Sequence, residues 1–453
     1  MRLIARLTRP FVFALALSPG LIFGSPAGAQ IFEPTTFTLD NGMQVVVIEN
    51  DRVPVVSHMV WYKVGAADEP KGKSGIAHFL EHLMFKGTET MGPGEQSRII
   101  NRLGGQENAF TSSDYTGYYQ NVPKQHLGRM MEIEADRMVN LTLQPDHVKS
   151  ELQVVLEERR SRIDNEPSSQ LSEMASAATY LAYPYRIPVI GWPAEIQGLT
   201  QQDAIDFYGT WYAPNNAILV VAGDATPDEI RTLAEATYGK IPAREIPDRV
   251  ALRGEEPTHL AAARVTMESA RVDQPSWSRR YLAPGFGWGD KQQTPALEVL
   301  AEILGGGSTS RMYRSLVVDK AVAVSAGSWY SPEGLGPQTF GIYATPAQGV
   351  EIADLEKAVE TELALMLRDG VTEGEVATAV KRMRRGSIFA RDDVLYPARL
   401  FGRTLASGGT IADVEEWPDR IVAVTPEAVL EAARAVLVPD SSTTSVLLSK
   451  PAS

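Results

Sequence analysis

The stretch Gly75-Ile76-Ala77-His78-Phe79-Leu80-Glu81-His82-Leu83-Met84 carries two superposed patterns. Ile76, Phe79, Leu80, Leu83 and Met84 recur at the helical spacing i, i+3, i+4, i+7, i+8, an apolar stripe suited to burial. His78, Glu81 and His82 lie off that stripe at i, i+3 and i+4, so all three can face one cavity. Two neutral imidazoles one turn apart suit a single zinc ion. Glu81 can stay unligated between them and accept a proton from a zinc-activated water, whose pKa the metal lowers to about 7. The order H-x-x-E-H is found among catalytic zinc motifs.

A catalytic zinc needs a third protein ligand and one open position. Outward from the motif, Lys149 to Ile163 reads as a charged amphipathic helix with Leu152, Val155 and Leu156 inward. Glu151 and Glu158 share a face of it, and Glu157 is turned about 100° from Glu158. Periodicity leaves these three acids as open alternatives.

Upstream, Thr36 to Leu39 and Met43 to Ile48 read as strands around Asp40-Asn41-Gly42, a hairpin signal. Val53 to Val64 reads as a further strand, and Ala217 to Ala222 as a buried one. Helical patterns lie near 94–103, 124–139, 146–163, 200–212 and 227–238. Pro242, Pro247 and Pro257 among mixed charges mark 241–262 as a linker.

A second run of strands and helices follows it. Leu199-Thr200 through Pro214 to Val221 aligns without gaps on Val424-Thr425 through Pro439 to Val446, an offset of 225. Gly75–Gly87 aligns on Pro295–Gly307 at an offset of 220. Two similar offsets in one order point to duplication. The copy of the motif has Glu298, Ala301 and Glu302 where His78, Glu81 and His82 stand, and so lacks both imidazoles. Gly305-Gly306-Gly307 lacks the Gly-Lys-Ser/Thr ending of a phosphate loop and reads as a structural turn.

The chain has 453 residues, 44% hydrophobic and 22% charged, which suits a globular protein of two or more domains. A net charge of −13 argues against nucleic-acid binding, which needs clustered basic charge. There is no cysteine, so thiolate ligands and disulfides are excluded. Arg2, Arg6 and Arg9 precede an apolar run, Phe11 to Phe23, that Pro19 breaks and that is too short for a good membrane span. Ala27-Gly28-Ala29 then offers a cleavage site. Residues 1–29 therefore read as a signal peptide and the protein as exported, to the periplasm, with no transmembrane segment in the mature chain.

Gly75 to Thr88 closely resembles the pitrilysin–insulinase family, the inverzincins. So do Asn108-Ala109-Phe110-Thr111, Val154 to Glu158, Pro188 to Trp192, Trp211 to Asn216 and Gly223-Asp224. The similarity spans nearly all of the mature chain, and its length matches the short two-domain type, like mitochondrial processing peptidase subunits. The resemblance implies an α+β fold of two homologous domains, each a mainly antiparallel sheet with packed helices, closing a clam-like chamber. It places a zinc-binding domain at 30–240 and a metal-free one at 263–453. It implies one zinc per chain on His78, His82 and Glu158, Glu81 as base, and Glu151 as a group that orients the site. Asn108, Ala109, Phe110 and Thr111 would form a substrate-binding edge strand for an extended peptide.

One departure stands out. Self-sufficient members carry an Arg and a Tyr in the second half, where this chain has Val317 and Val324. Arg311 and Tyr313 lie nearby as alternatives. The expectation is a metalloendopeptidase that works with a homologous partner lacking the zinc motif and supplying Arg and Tyr. A non-catalytic core-like subunit and a zinc-dependent peptide-binding protein are the rivals.

Overall fold

The computed structural model describes residues 31–390 and 393–450; the signal-peptide reading, on 1–29, lies outside them. Strands β1 (Thr35–Thr38), β2 (Gln44–Glu49), β3 (Val55–Tyr62), β4 (Gln106–Thr111), β5 (Thr116–Pro123) and β6 (Ala217–Gly223) form a first sheet in the order β1-β2-β6-β3-β5-β4. The β1–β2 hairpin turns at Asp40-Asn41-Gly42, with Gly42 at φ +87°, a conformation that strains residues bearing a Cβ. Only the β2–β6 pairing is parallel. β6 is buried on both faces, which is why Ala217 to Ala222 is apolar without alternation.

A second sheet holds β7 (Ala263–Ser269), β8 (Ser276–Ala283), β9 (Ala323–Trp329), β10 (Gln338–Pro346) and β11 (Ser442–Ser449), in the order β7-β11-β8-β10-β9. Without β1, the two orders coincide strand for strand, and the parallel pair β7–β11 falls where β2–β6 does. The 225 offset is kept at the residue level. Helix Gln201–Trp211, the turn Pro214–Asn216 and β6 return as helix Pro426–Val436, the turn Pro439–Ser441 and β11. Thr200 and Thr425 cap the two helices, each accepting from a backbone N–H in the first turn.

On one face of the first sheet lie α1 (Ile76–Leu83), α2 (Glu95–Arg102), α3 (Leu127–Val139) and α4 (Pro145–Arg159). They enclose a core in which Ile76, Phe79, Leu80 and Leu83 of α1 are at most 1% exposed. The apolar stripe predicted for α1 is thus wholly buried, which turns the His78–Glu81–His82 side towards the surface.

The opposite face of each sheet is covered by a helix from the other half. Helix Tyr396–Ala406 packs on β3 and β6, placing Ala398 and Phe401 against Val46, Met59, Trp61 and Ile218. Gly402 lies so close to Trp61 that an added Cβ would fall 2.0 Å from its indole nitrogen. In return α5 (Pro167–Thr179) packs on β7 and β11, with Leu171 against Val272 and Leu447. The Arg280 guanidinium donates to the Ser176 and Ser172 hydroxyls of α5 at 2.8 and 3.0 Å. Sequence periodicity does not reveal this exchange.

The 241–262 segment is held against the first half. Its short helix Arg249–Arg253 carries Arg253, which bonds Asp68 at 2.8 Å and Asp114 at 2.5 Å. All three side chains are at most 5% exposed. Glu256 accepts the backbone N–H groups of Leu181, Ala182 and Tyr183. Asp114 also accepts from Tyr185 and from the Leu335 backbone N–H, tying both halves to one carboxylate.

Candidate metal centre

Three elements bring the predicted ligands together. α1 presents His78, Glu81 and His82, α4 presents Glu151 and Glu158, and β4 ends beside them at Thr111. One ligand atom from each of His78, His82 and Glu158 can be chosen so that all lie within 4.8 Å of one another. Glu158 Oε2 is 3.7 Å from His78 Nε2 and 3.3 Å from His82 Nε2. Among the described residues this is the one such group of three or more His, Cys, Asp or Glu side chains.

The donor set fits zinc. Two nitrogens and one carboxylate oxygen leave room for a fourth, non-protein ligand. Glu158 Oε2 is buried and accepts no hydrogen bond, a state that a cation would relieve. Burial, with the neighbouring His82 and Arg162 charges, lowers the His78 pKa to about 3, so its ring is neutral and able to ligate at pH 7. For His82 burial acts downward, but the Glu151 hydrogen bond and nearby carboxylates outweigh it and raise the value. Burial raises the Glu81 carboxyl above its ordinary value.

The three candidate acids separate. Glu158 faces the histidines. Glu151 stands behind His82, 2.9 Å from Nδ1, and also pairs with Lys86. That bond directs Nε2 towards Glu158. Glu157 points to solvent, 70% exposed and bonded to Arg160. Leu152, Val155 and Leu156 pack inward as the periodicity predicts.

Glu81 is buried, and its Oε2 accepts from Thr111 Oγ1 at 2.6 Å. Strand β4 is an edge of the sheet, paired with β5 alone. Asn108, Ala109, Phe110 and Thr111 line a cleft of about 810 Å³ together with the metal cluster and Pro188 to Ile190. Lys86 and Arg162 also line it, and the sequence reading passed over both. Arg162 bonds Glu158 Oε1 at 2.6 Å. Their i+4 spacing from His82 and Glu158 was the available signal.

Among the described residues the second half has no such cluster. Glu298 accepts from the Trp417 indole at 3.1 Å, and burial raises its pKa to about 7. Glu302 pairs with Arg382 at 2.9 Å. Val317 packs against the second core, and Val324 is half exposed on β9. Arg311 is held by both oxygens of Glu375, at 2.6 and 2.8 Å, and by the Gly370 carbonyl. Tyr313 opens the π-helical turn Tyr313–Asp319.

Two descriptions of one peptidase family match the chain: "Insulinase (Peptidase family M16)" over residues 45–191 and "Peptidase M16 inactive domain" over 198–383. The chain belongs to this insulinase family. It is 32% identical to zinc protease PqqE of Helicobacter pylori, over 80% of this chain and 82% of that one. An uncharacterized zinc protease of Mycobacterium bovis is 31% identical, over 91% and 93% of the two chains. The crystal structure of a protease from Helicobacter pylori superposes with a TM-score of 0.85 at 29% identity, covering 92% of this chain and 100% of that one.

Proposed function

We propose that this chain is a zinc metalloendopeptidase that hydrolyses peptides or unfolded polypeptides and serves as the zinc-bearing subunit of a heteromer. The observation that carries the reading is the convergence of His78, His82 and Glu158 beside Glu81 in a cleft bordered by the edge strand β4. Zinc, when bound, would supply Lewis acidity for the scissile carbonyl and acidify a water. The chain's own residues do the rest. β4 offers its outward backbone groups to an extended peptide, a weakly sequence-selective mode of binding. Glu81 takes a proton and returns it to the leaving amine. Glu151 orients His82. The catalytic domain is 30–240, the connecting segment 241–262 and the metal-free domain 263–453. Residues 1–29 direct export to the periplasm.

Val317 and Val324 supply no side-chain donors, and Arg311 is already engaged by Glu375. Each missing donor to a developing oxyanion costs ~3 kcal/mol, about a hundredfold in rate. A partner with the reciprocal defect, bearing Arg and Tyr without the zinc motif, restores them across a shared chamber. The test is to assay the zinc-loaded chain on unstructured peptides, alone and mixed with such a homologue. Activity that appears on mixing, and is lost when the partner's Arg and Tyr become Val, supports the heteromer. Full activity alone, unchanged by the homologue, overturns it.

A further inference from the structure

We infer that Thr111 is a positioning residue: its hydroxyl, carried on the edge strand, determines which oxygen of Glu81 is free to move a proton. The inference rests on the peptidase reading and deepens it. A carboxylate has two equivalent oxygens, and a base that must meet a proton in one place needs one of them fixed. Thr111 Oγ1 donates to Oε2 at 2.6 Å, and among the described residues no other donor bonds Glu81. Oε1 is left to face the reacting proton.

The backbone under Thr111 is well braced. It is the last residue of β4 and pairs with Thr116, whose own hydroxyl bonds the Val64 carbonyl at 3.0 Å. The next residue, Ser112, donates to the Tyr115 carbonyl at 2.8 Å. A β-branched side chain on such a backbone has few rotamers, so the hydroxyl is aimed before any substrate arrives. The donor also sits on the strand that would pair with the peptide. One strand therefore places both the peptide and the hydrogen bond that fixes the base.

The second half shows what the contact becomes without a base. Ala301 stands at the Glu81 position, and a hydroxyl from the counterpart strand β9, Ser328 Oγ, bonds the Ala301 backbone carbonyl at 2.8 Å. A strand hydroxyl braces the helix in both halves. Only in the first does it act on a carboxylate.

The experiment compares wild type, Thr111→Val and Thr111→Ser as zinc-loaded protein, with whichever partner activity requires. It adds a thermal double-mutant cycle of Thr111→Val and Glu81→Ala on the metal-free chain. Thr111→Val should lower kcat by about 10- to 100-fold, leave KM within about threefold and leave zinc content unchanged. Thr111→Ser should recover most of kcat. The two Tm shifts should be non-additive, because each substitution removes the same hydrogen bond. Unchanged kcat in Thr111→Val, a rise confined to KM, or additive Tm shifts would each overturn the inference. If the wild type with its partner hydrolyses no peptide, the peptidase reading fails, and the metal-free cycle still decides whether Thr111 holds Glu81.

Discussion

Helix α1 and helix Thr294–Gly305 occupy the same place in two sheets of the same strand order, yet they face different chemistry. In α1 the side that lines the cleft carries His78, Glu81 and His82, and α4 brings a carboxylate to meet them. In the second helix Glu298 is buried and accepts from the Trp417 indole, and Glu302 pairs with Arg382. The buried stripes are alike: Phe79, Leu80 and Leu83 find counterparts in Val299, Leu300 and Ile303, all at most 6% exposed. Packing needs only apolar residues at helical spacing, and both helices have them. A metal centre needs particular donor atoms at particular distances, so a few polar substitutions remove it without disturbing the fold.

The sharpest way to break this comparison is to alter the polar positions one at a time. Glu81→Gln should lower kcat by ~1,000-fold with zinc retained, since it removes the base and keeps the ligands. Glu298→Gln on the other helix should leave kcat unchanged. Near-wild-type hydrolysis by a zinc-loaded Glu81→Gln protein would take Glu81 out of its role.

The next effect concerns the acids of α4. Equilibrium dialysis of zinc should show the greatest loss of affinity for Glu158→Gln, and about 10- to 100-fold for Glu151→Gln, which acts through His82. Glu157→Gln, on a solvent-facing carboxylate, should bind zinc as wild type does. Equal retention by the Glu158 and Glu157 variants would refute the ligand assignment.

The smallest effect sharpens the contrast through pH. All six histidines precede residue 260, so histidine titration belongs to the first half and the connecting segment. His58 is fully buried between Gln120 and Tyr238, and burial lowers its pKa to about 4. The native chain refuses a proton that the unfolded chain takes up near pH 6.5. The stabilisation is therefore complete above that pH and is lost as pH falls towards 4. The change for His58 is on the order of 2–3 kcal/mol. Urea unfolding of the metal-free protein at pH 7 and pH 4.5 should show a smaller pH dependence in His58→Gln than in wild type. An identical dependence in both would mean that His58 is not the group.

Much of this was legible in advance, for a common reason. The α1 stripe, the Asn41-Gly42 hairpin, the buried strand at Ala217 to Ala222 and the inward face of α4 are patterns within a few residues. At that range, side-chain direction follows from helix and strand geometry alone. The duplication was legible because capping threonines and turn prolines recur at a constant offset. Beyond that range the reading thinned. α5 was not foreseen, and nothing local indicates that it leaves its own half to cover β7 and β11. The 241–262 segment reads as a linker because prolines and mixed charges mark loops, and nothing local says what it packs against. The structure shows Arg253 buried between Asp68 and Asp114, residues far away in sequence.

The same division runs through the site. The sequence by itself determined that His78, Glu81 and His82 share one side of a helix whose other side is buried, because 3.6-residue periodicity allows nothing else. It could not choose among Glu151, Glu157 and Glu158, since that depends on how α4 is rotated against α1. Nor could it tell whether Arg311 was free. Tertiary packing sets where these side chains lie: the burial of Val155 with Leu152 and Leu156 rolls Glu158 towards the histidines and Glu157 into solvent, and Glu375 holds Arg311 in the second half. Such choices lie in contacts between elements, where the register of one surface against another is set by all the side chains between them and by no single stretch of chain.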